Sequence, residues 1–196
     1  HDALPISAKE VFKNCKVTVE HSLSKGFYCE IYKSQVNDIP LTEEDVKNIE
    51  EKMHELVRMD LPFEKNRMDN KDAEALFRAN GQYDKIALLK YREKKYMNVY
   101  GCYGYHDYFY GYMVPSTGYL KFFELKFYAP GLILRFPEKS SPEMLPEFVE
   151  QNKLFNIFRE FEKWGKILEL ESISHLDDAI VEGRLKEIIN VAEALH

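Results

Sequence analysis

The chain has 196 residues, of which 45% are hydrophobic and 31% charged, enough apolar material for a sizeable core. No apolar run approaches the roughly 20 residues a membrane span needs, and no basic-then-apolar stretch marks a signal peptide. The net charge of −6 lies wholly in the last third, where Pro137–His196 holds 13 acidic and 7 basic residues while the other 136 residues carry 20 of each, so bulk charge lends nucleic-acid binding no support.

The predicted elements follow in chain order. His1–Ile6, HDALPI, resembles the in-frame translation of a sequencing adapter and is set aside from the fold reading. Ala8–Asn14 reads as the last turns of a helix. Lys16–His21 alternates, with Val17 and Val19 on one side and Lys16, Thr18 and Glu20 on the other, as a half-buried strand does. Gly26 opens a second strand, GFYCEIY. Thr42 is the expected N-cap of a helix. Glu43, Glu44 and Asp45 favour its positive end, and Val46, Ile49, Met53, Leu56 and Val57 form its apolar stripe until Leu61 and Pro62 end it. Phe63–Met68 reads as a short strand. Asp69–Ala79 reads as a helix stopped at Asn80 and Gly81.

Nine of the thirteen tyrosines lie between Tyr96 and Tyr128, and Tyr96–Pro137 reads as an antiparallel sheet. Its clearest strands, Phe122–Tyr128 and Leu132–Phe136, are joined through Pro130 and Gly131. KSSPEMLP reads as a linker. Phe148–Leu170 reads as a long helix burying Leu154, Phe155, Phe158, Phe161 and Leu168, followed by a helix capped by Ser174. Arg184–His196 carries an apolar face of Leu185, Ile188, Ile189, Ala192 and Leu195 with no stop signal, so both ends of the sequence look cut. The expected fold is α+β: an antiparallel sheet with packed helices, spanning 7–137, and a helical connector over 138–196.

Cys15, Cys29 and Cys102 form neither a disulfide framework nor a CxxC pair, as in a reduced cytoplasmic protein. Cys102 and His106 share an x3 spacing, but along a strand that separation leaves them well over one step apart. A small buried thiol and a hydrogen-bonded histidine is the simpler account. His21 could line a pocket with Cys102, His106 and Asp107, the aspartate fixing one histidine tautomer for acid/base work, although a hydrogen-bonded histidine and a turn aspartate need no such pocket. The tyrosine cluster around Tyr110 could stack bases, yet such alternation is also simply a packed pleated surface. Ser116, Thr117 and Gly118 could contact a phosphate, though a Pro-Ser-Thr-Gly turn needs no ligand. No Gly-x4-Gly-Lys-Ser/Thr loop, HExxH or dinucleotide glycine fingerprint is present.

Three stretches carry a family resemblance. Gly26-Phe27-Tyr28 followed by LTEEDVKNIEEKMHELV resembles the second N-terminal domain of threonyl-tRNA synthetases. Tyr108–Phe136, YFYGYMVPSTGYLKFFELKFYAPGLILRF, is similar to the Tyr-Gly-x-Met-Val-Pro-Ser-Thr-Gly tract of uridine-kinase-like nucleoside kinases, which fuse a synthetase-like region to a P-loop kinase. The tail, LFNIFREFEKWGKIL and then RLKEIINVAEALH, resembles the segment that leads into that kinase. The resemblance implies a synthetase-editing-like fold in the accessory N-terminal region of a nucleoside kinase. Mg-ATP and the nucleoside would then be bound by a kinase domain absent from this chain, which would also be its partner; the chain itself would hold no cofactor or metal. Editing domains of this type use two His from one segment and a Cys-x-x-x-His from another. Aligned on Val114-Pro115, Phe109 falls at the Cys position and Met113 at the second His position, and neither serves as base or strong metal ligand. The resemblance thus implies a catalytically silent chain with His21, Cys102, His106, Asp107, Tyr110, Ser116 and Thr117 around a degenerate pocket. The alternative it leaves is a tRNA-binding or aminoacyl-tRNA-editing module.

Overall fold

The computed structural model describes residues 3–34, 39–109, 111–170 and 172–195. The fold is α+β with two sheets rather than the one expected. The chain forms two units interleaved along the sequence. One draws on segments within His1–Glu64, Gly101–Tyr105 and Gly111–Phe155, the other on Lys65–Tyr100, His106–Tyr110 and Asn156–His196.

The first unit contains α1 (Ala3–Val11), β1 (Lys16–Leu23), β2 (Gly26–Tyr32) and α2 (Glu43–Met59). Apolar residues at 3, 4, 6 and 8 give α1 a buried face, so Ala3, Leu4 and Ile6, set aside on sequence grounds, pack as its first turns. Thr42 caps α2 as expected. Its side chain accepts from the Asp45 amide, and the Asp45 carboxylate accepts in return from the Thr42 amide at 2.8 Å, closing a capping box. Val46, Ile49, Met53 and Leu56 are buried along its inner face.

Further along the chain come β3 (Glu64–Asp69), α3 (Asn70–Ala79), α4 (Tyr83–Leu89), β4 (Tyr96–Cys102), β5 (Tyr105–Tyr108), β6 (Glu124–Tyr128) and β7 (Gly131–Arg135). The first unit's sheet runs β1-β2-β7-β6, each neighbouring pair antiparallel. The hairpin of β6 and β7 turns through Ala129 and Pro130, with Tyr128 opposite Gly131. Gly131 is required by proximity, because a Cβ there would sit 2.2 Å from the carbonyl oxygen of Cys29. On one sheet face Cys29, Ile31, Leu132 and Leu134 join Leu4, Ala8, Val46, Ile49 and Met53 in the main core. On the other, Leu23, Tyr28 and Ile133 lie under Tyr128, Phe148 and Phe155. The period of two along β2 and β7 decides which residue serves which core.

In the second unit β4 lies between β3 and β5. Met97 and Val99, two residues apart on β4, bury against Ala73 and Phe77 of α3, with Ile86 and Leu89 of α4 alongside. This unit also holds most of α5 (Asn152–Ile167), with α6 (Ile173–Val181) and α7 (Leu185–Leu195). Here the sequence reading needs correction. The helix expected over Phe148–Leu170 is shorter at both ends, and no residue of α5 is fully buried. Leu154 is 38% and Phe161 51% exposed. The apolar stripe fixed the helix but not what covers it. The cap of α6 is Ser172, whose Oγ accepts from the His175 amide, whereas Ser174 lies buried inside the helix. The sequence does not announce helix α4, because its N-cap, Gln82, makes no side-chain capping hydrogen bond.

Candidate functional site

The residues expected around one pocket are divided between the two units. His21 sits on β1, where its ring lies 5.1 Å from that of Tyr28 and 6.4 Å from that of Phe155. The strand carries a bulge between Val19 and His21, which re-aims the residues that follow it. Cys102 ends β4, buried in a cluster with Ile6 and Leu56, and burial pushes its thiol above the ordinary value, with Glu64 adding to the rise. A thiol so held is a poor nucleophile.

The x3 spacing from Cys102 to His106 does not run along a single strand, as the sequence alone suggests. Tyr103 and Gly104 have φ of 51° and 76°, the two-residue left-handed turn that reverses the chain from β4 into β5. The pair therefore lies on opposite arms of a hairpin. The backbone carbonyl of His106 accepts from Gln82 Nε2 at 3.0 Å, and the Asp107 carboxylate pairs with Lys85 while also accepting from the Tyr108 amide. Asp107 is thus held by a lysine.

Thr117 is fully buried. Its hydroxyl donates to the carbonyl of Leu56 at 2.5 Å and accepts from the Leu61 amide at 2.8 Å, and Thr117 N–H donates to the Leu61 carbonyl at 2.8 Å. Ser116 Oγ donates to the Asp60 carboxylate, which also accepts from the Gly118 amide at 3.1 Å. The Pro-Ser-Thr-Gly turn spends these donors on closing the end of α2. Phe109 meets Tyr100 edge to face at 6.0 Å, and Met113 is half-buried. Tyr110 lies outside the described residues. Among the described residues no three His, Cys, Asp or Glu side chains form a group able to hold a metal ion.

A different feature of the second unit has the makings of a site. Arg67, Arg92, Glu93, Lys94, Lys95, Tyr96, Met97, Asn98, Tyr108 and Phe109 line an open groove of about 800 Å³. Four cations face a single carboxylate there. The alternation on β4 that buries Met97 and Val99 presents Tyr96 and Asn98 on the opposite face. Arg67 of β3 lies over the Tyr96 ring, its guanidinium carbon 4.8 Å from the centroid. Arg92 donates to the Tyr96 carbonyl at 3.2 Å. The loop carrying the lysines is anchored by Asn70, which donates from Nδ2 to the Lys94 carbonyl at 2.8 Å and from its amide to the Lys95 carbonyl at 3.1 Å. Whole-chain charge balance concealed this groove. The signal was local: Arg92-Glu93-Lys94-Lys95 running straight into the tyrosine-rich strand.

Taken together, these features define a two-unit α+β chain with an antiparallel sheet and a cationic, aromatic-lined groove. Similarity narrows the class. The chain contains a region like threonine–tRNA ligases, being 35% identical over 119 residues to that of Geobacter sp. (strain M21), which covers 61% of this chain and 18% of that protein. The threonine–tRNA ligase of Laribacter hongkongensis (strain HLHK9) is 33% identical over 133 residues, covering 62% of this chain and 19% of the relative. The chain therefore spans about a fifth of the length of the curated relatives it matches. No family model matches it. No helix among the described residues is long and apolar enough to cross a membrane.

Proposed function

We propose that the chain is a synthetase-type accessory module that binds tRNA in the cytoplasm without hydrolysing its aminoacyl ester. The observation that carries this is the likeness to threonine–tRNA ligases over 61% of the chain, combined with Phe109 and Met113 at the positions where the editing domains of that resemblance place a Cys and a His. A phenyl ring and a thioether neither take a proton nor activate water. Binding of the old substrate without turnover is the behaviour expected of such a site. Binding of tRNA to the full chain, and deacylation of mischarged aminoacyl-tRNA, test the two halves separately. Binding with no turnover is expected. Turnover abolished by His106→Ala would overturn the silent-site reading, and absence of tRNA binding would overturn the module reading.

A second reading keeps the chain as the accessory region of a nucleoside kinase, with Mg-ATP and nucleoside held by a further domain. It is favoured by the Tyr-Gly-x-Met-Val-Pro-Ser-Thr-Gly tract at 110–118. Its test is the coding sequence beyond His196: a Gly-x4-Gly-Lys-Ser/Thr motif within a few tens of codons supports it, and a synthetase core there removes it.

A further inference from the structure

We infer that the groove between Arg67 and the Arg92–Lys95 loop binds an unpaired stretch of RNA, with phosphates on Arg92, Lys94 and Lys95 and a base stacked at Tyr96. The inference rests on the tRNA-binding reading and deepens it by naming the surface and the form of nucleic acid. Three observations carry it.

The first is charge. The chain is −6 overall, yet this groove gathers Arg67, Arg92, Lys94 and Lys95 against Glu93 alone. A concentration of like charge costs stability through mutual repulsion, and a polyanion seated on it removes that cost. Lys94 and Lys95 are exposed, and among the described residues neither has a carboxylate within ion-pairing distance.

The second is preorganisation. Asn70 holds the Lys94 and Lys95 carbonyls from the start of α3, while Arg92 ties the loop to the first residue of β4. The lysine side chains therefore extend from fixed backbone, and little loop entropy is lost when a ligand binds.

The third is the aromatic. Tyr96 is 51% exposed in a groove whose Arg67 guanidinium already stacks on its ring. A flat, partly exposed ring set between cations suits alternating contact with base and phosphate, as in single-strand binders. Duplex RNA keeps its base faces stacked internally and offers none to Tyr96.

The test uses the full chain and fluorescence anisotropy with a labelled, unstructured single-stranded RNA of about 12 nucleotides, a duplex of the same length and heparin as a polyanion control. Intact tRNA is measured in parallel. Lys94→Glu with Lys95→Glu is expected to weaken single-strand binding by more than about tenfold. The same pair should flatten the salt dependence by about 0.7 in log–log slope for each phosphate no longer neutralised. Tyr96→Leu is expected to weaken binding severalfold with the slope unchanged, because the ring carries no charge. Both variants alter exposed side chains, and circular dichroism checks that they fold.

Equal affinity for duplex and single strand, or binding indifferent to Tyr96→Leu, or heparin displacing the RNA at equal charge with no preference for bases, each overturns the inference. If tRNA still binds the Lys94→Glu, Lys95→Glu variant at full affinity, the groove assignment fails while the tRNA reading stands. If the single strand binds through the groove but tRNA is not bound, the tRNA reading fails and the groove assignment survives.

Discussion

The Thr117 side chain completes the C-terminal end of α2, donating its hydroxyl to the carbonyl of Leu56 at 2.5 Å while receiving the Leu61 amide at 2.8 Å. A helix leaves its last carbonyls without intrahelical partners, and here one is satisfied by a residue 61 positions away. The Pro62–Ser116 bridge holds the two segments in register.

Thr117→Val keeps the shape and removes the hydroxyl, stranding the buried Leu56 carbonyl and the half-buried Leu61 amide. Unfolding in urea should show a loss of about 2 kcal/mol, since each orphaned buried group costs about 1–3 kcal/mol. Thr117→Ser, which retains the oxygen, should lose less than half as much. Equal losses in the two variants would mean that packing, not hydrogen bonding, holds the turn.

Gly118 faces Asp60 so closely that a Cβ would lie 2.2 Å from Oδ1. Gly118→Ala should therefore displace the carboxylate from Ser116 and destabilise the protein by about 1–3 kcal/mol, as overpacking does. Asp60 has φ of 50°, which suits glycine, so Asp60→Gly removes the obstacle without backbone strain. In a double-mutant cycle Gly118→Ala should cost markedly less in the Asp60→Gly background.

Burial pushes the Cys29 thiol up to about 12, against an ordinary value of 9.0. The folded chain keeps its proton where the unfolded chain has released it. The stability this group contributes is complete below pH 9.0 and is lost as pH rises towards 12, at up to about 1.4 kcal/mol per pH unit. Wild type minus Cys29→Ala should show that slope in denaturant midpoints above pH 9 and none at pH 7. A difference independent of pH would contradict it.

Asp45 behaves in the opposite sense. Burial works to raise its carboxyl, but the Lys33 ammonium and the Thr42 hydroxyl and amide outweigh it and hold the group below its ordinary value of 3.8. Its contribution is present above 3.8 and is lost as pH falls through the lower folded-state value. Asp45→Asn should destabilise the protein by about 1 kcal/mol near neutrality, in the range of capping interactions. The gap from wild type should narrow in acid titrations.

Local chemistry made much of the fold legible. The Thr42 cap, the Val46–Leu56 stripe and the β6–β7 hairpin follow from residue types and spacings of two or three to four, which act over a few positions. What escaped depends on contacts distant in sequence. Positive φ at both Tyr103 and Gly104 separates a strand from a hairpin between Cys102 and His106, and tyrosine does not advertise that conformation as glycine does. The candidate site was the least legible part. Thr117 looks like a ligand contact until Leu56 and Leu61 are seen to claim its hydroxyl. Arg67 and Lys94 are 27 positions apart in the sequence, so only the pairing of β3 with β4 brings their charges to one groove.

Because the chain passes repeatedly between its two units, neither unit corresponds to a continuous stretch of gene. A single recombination point would not transplant one unit into another protein, since any crossover inside Lys65–Tyr100 or Gly111–Phe155 leaves part of each behind. The two units should therefore be inherited together, and substitutions in one should accumulate in the constant company of the other.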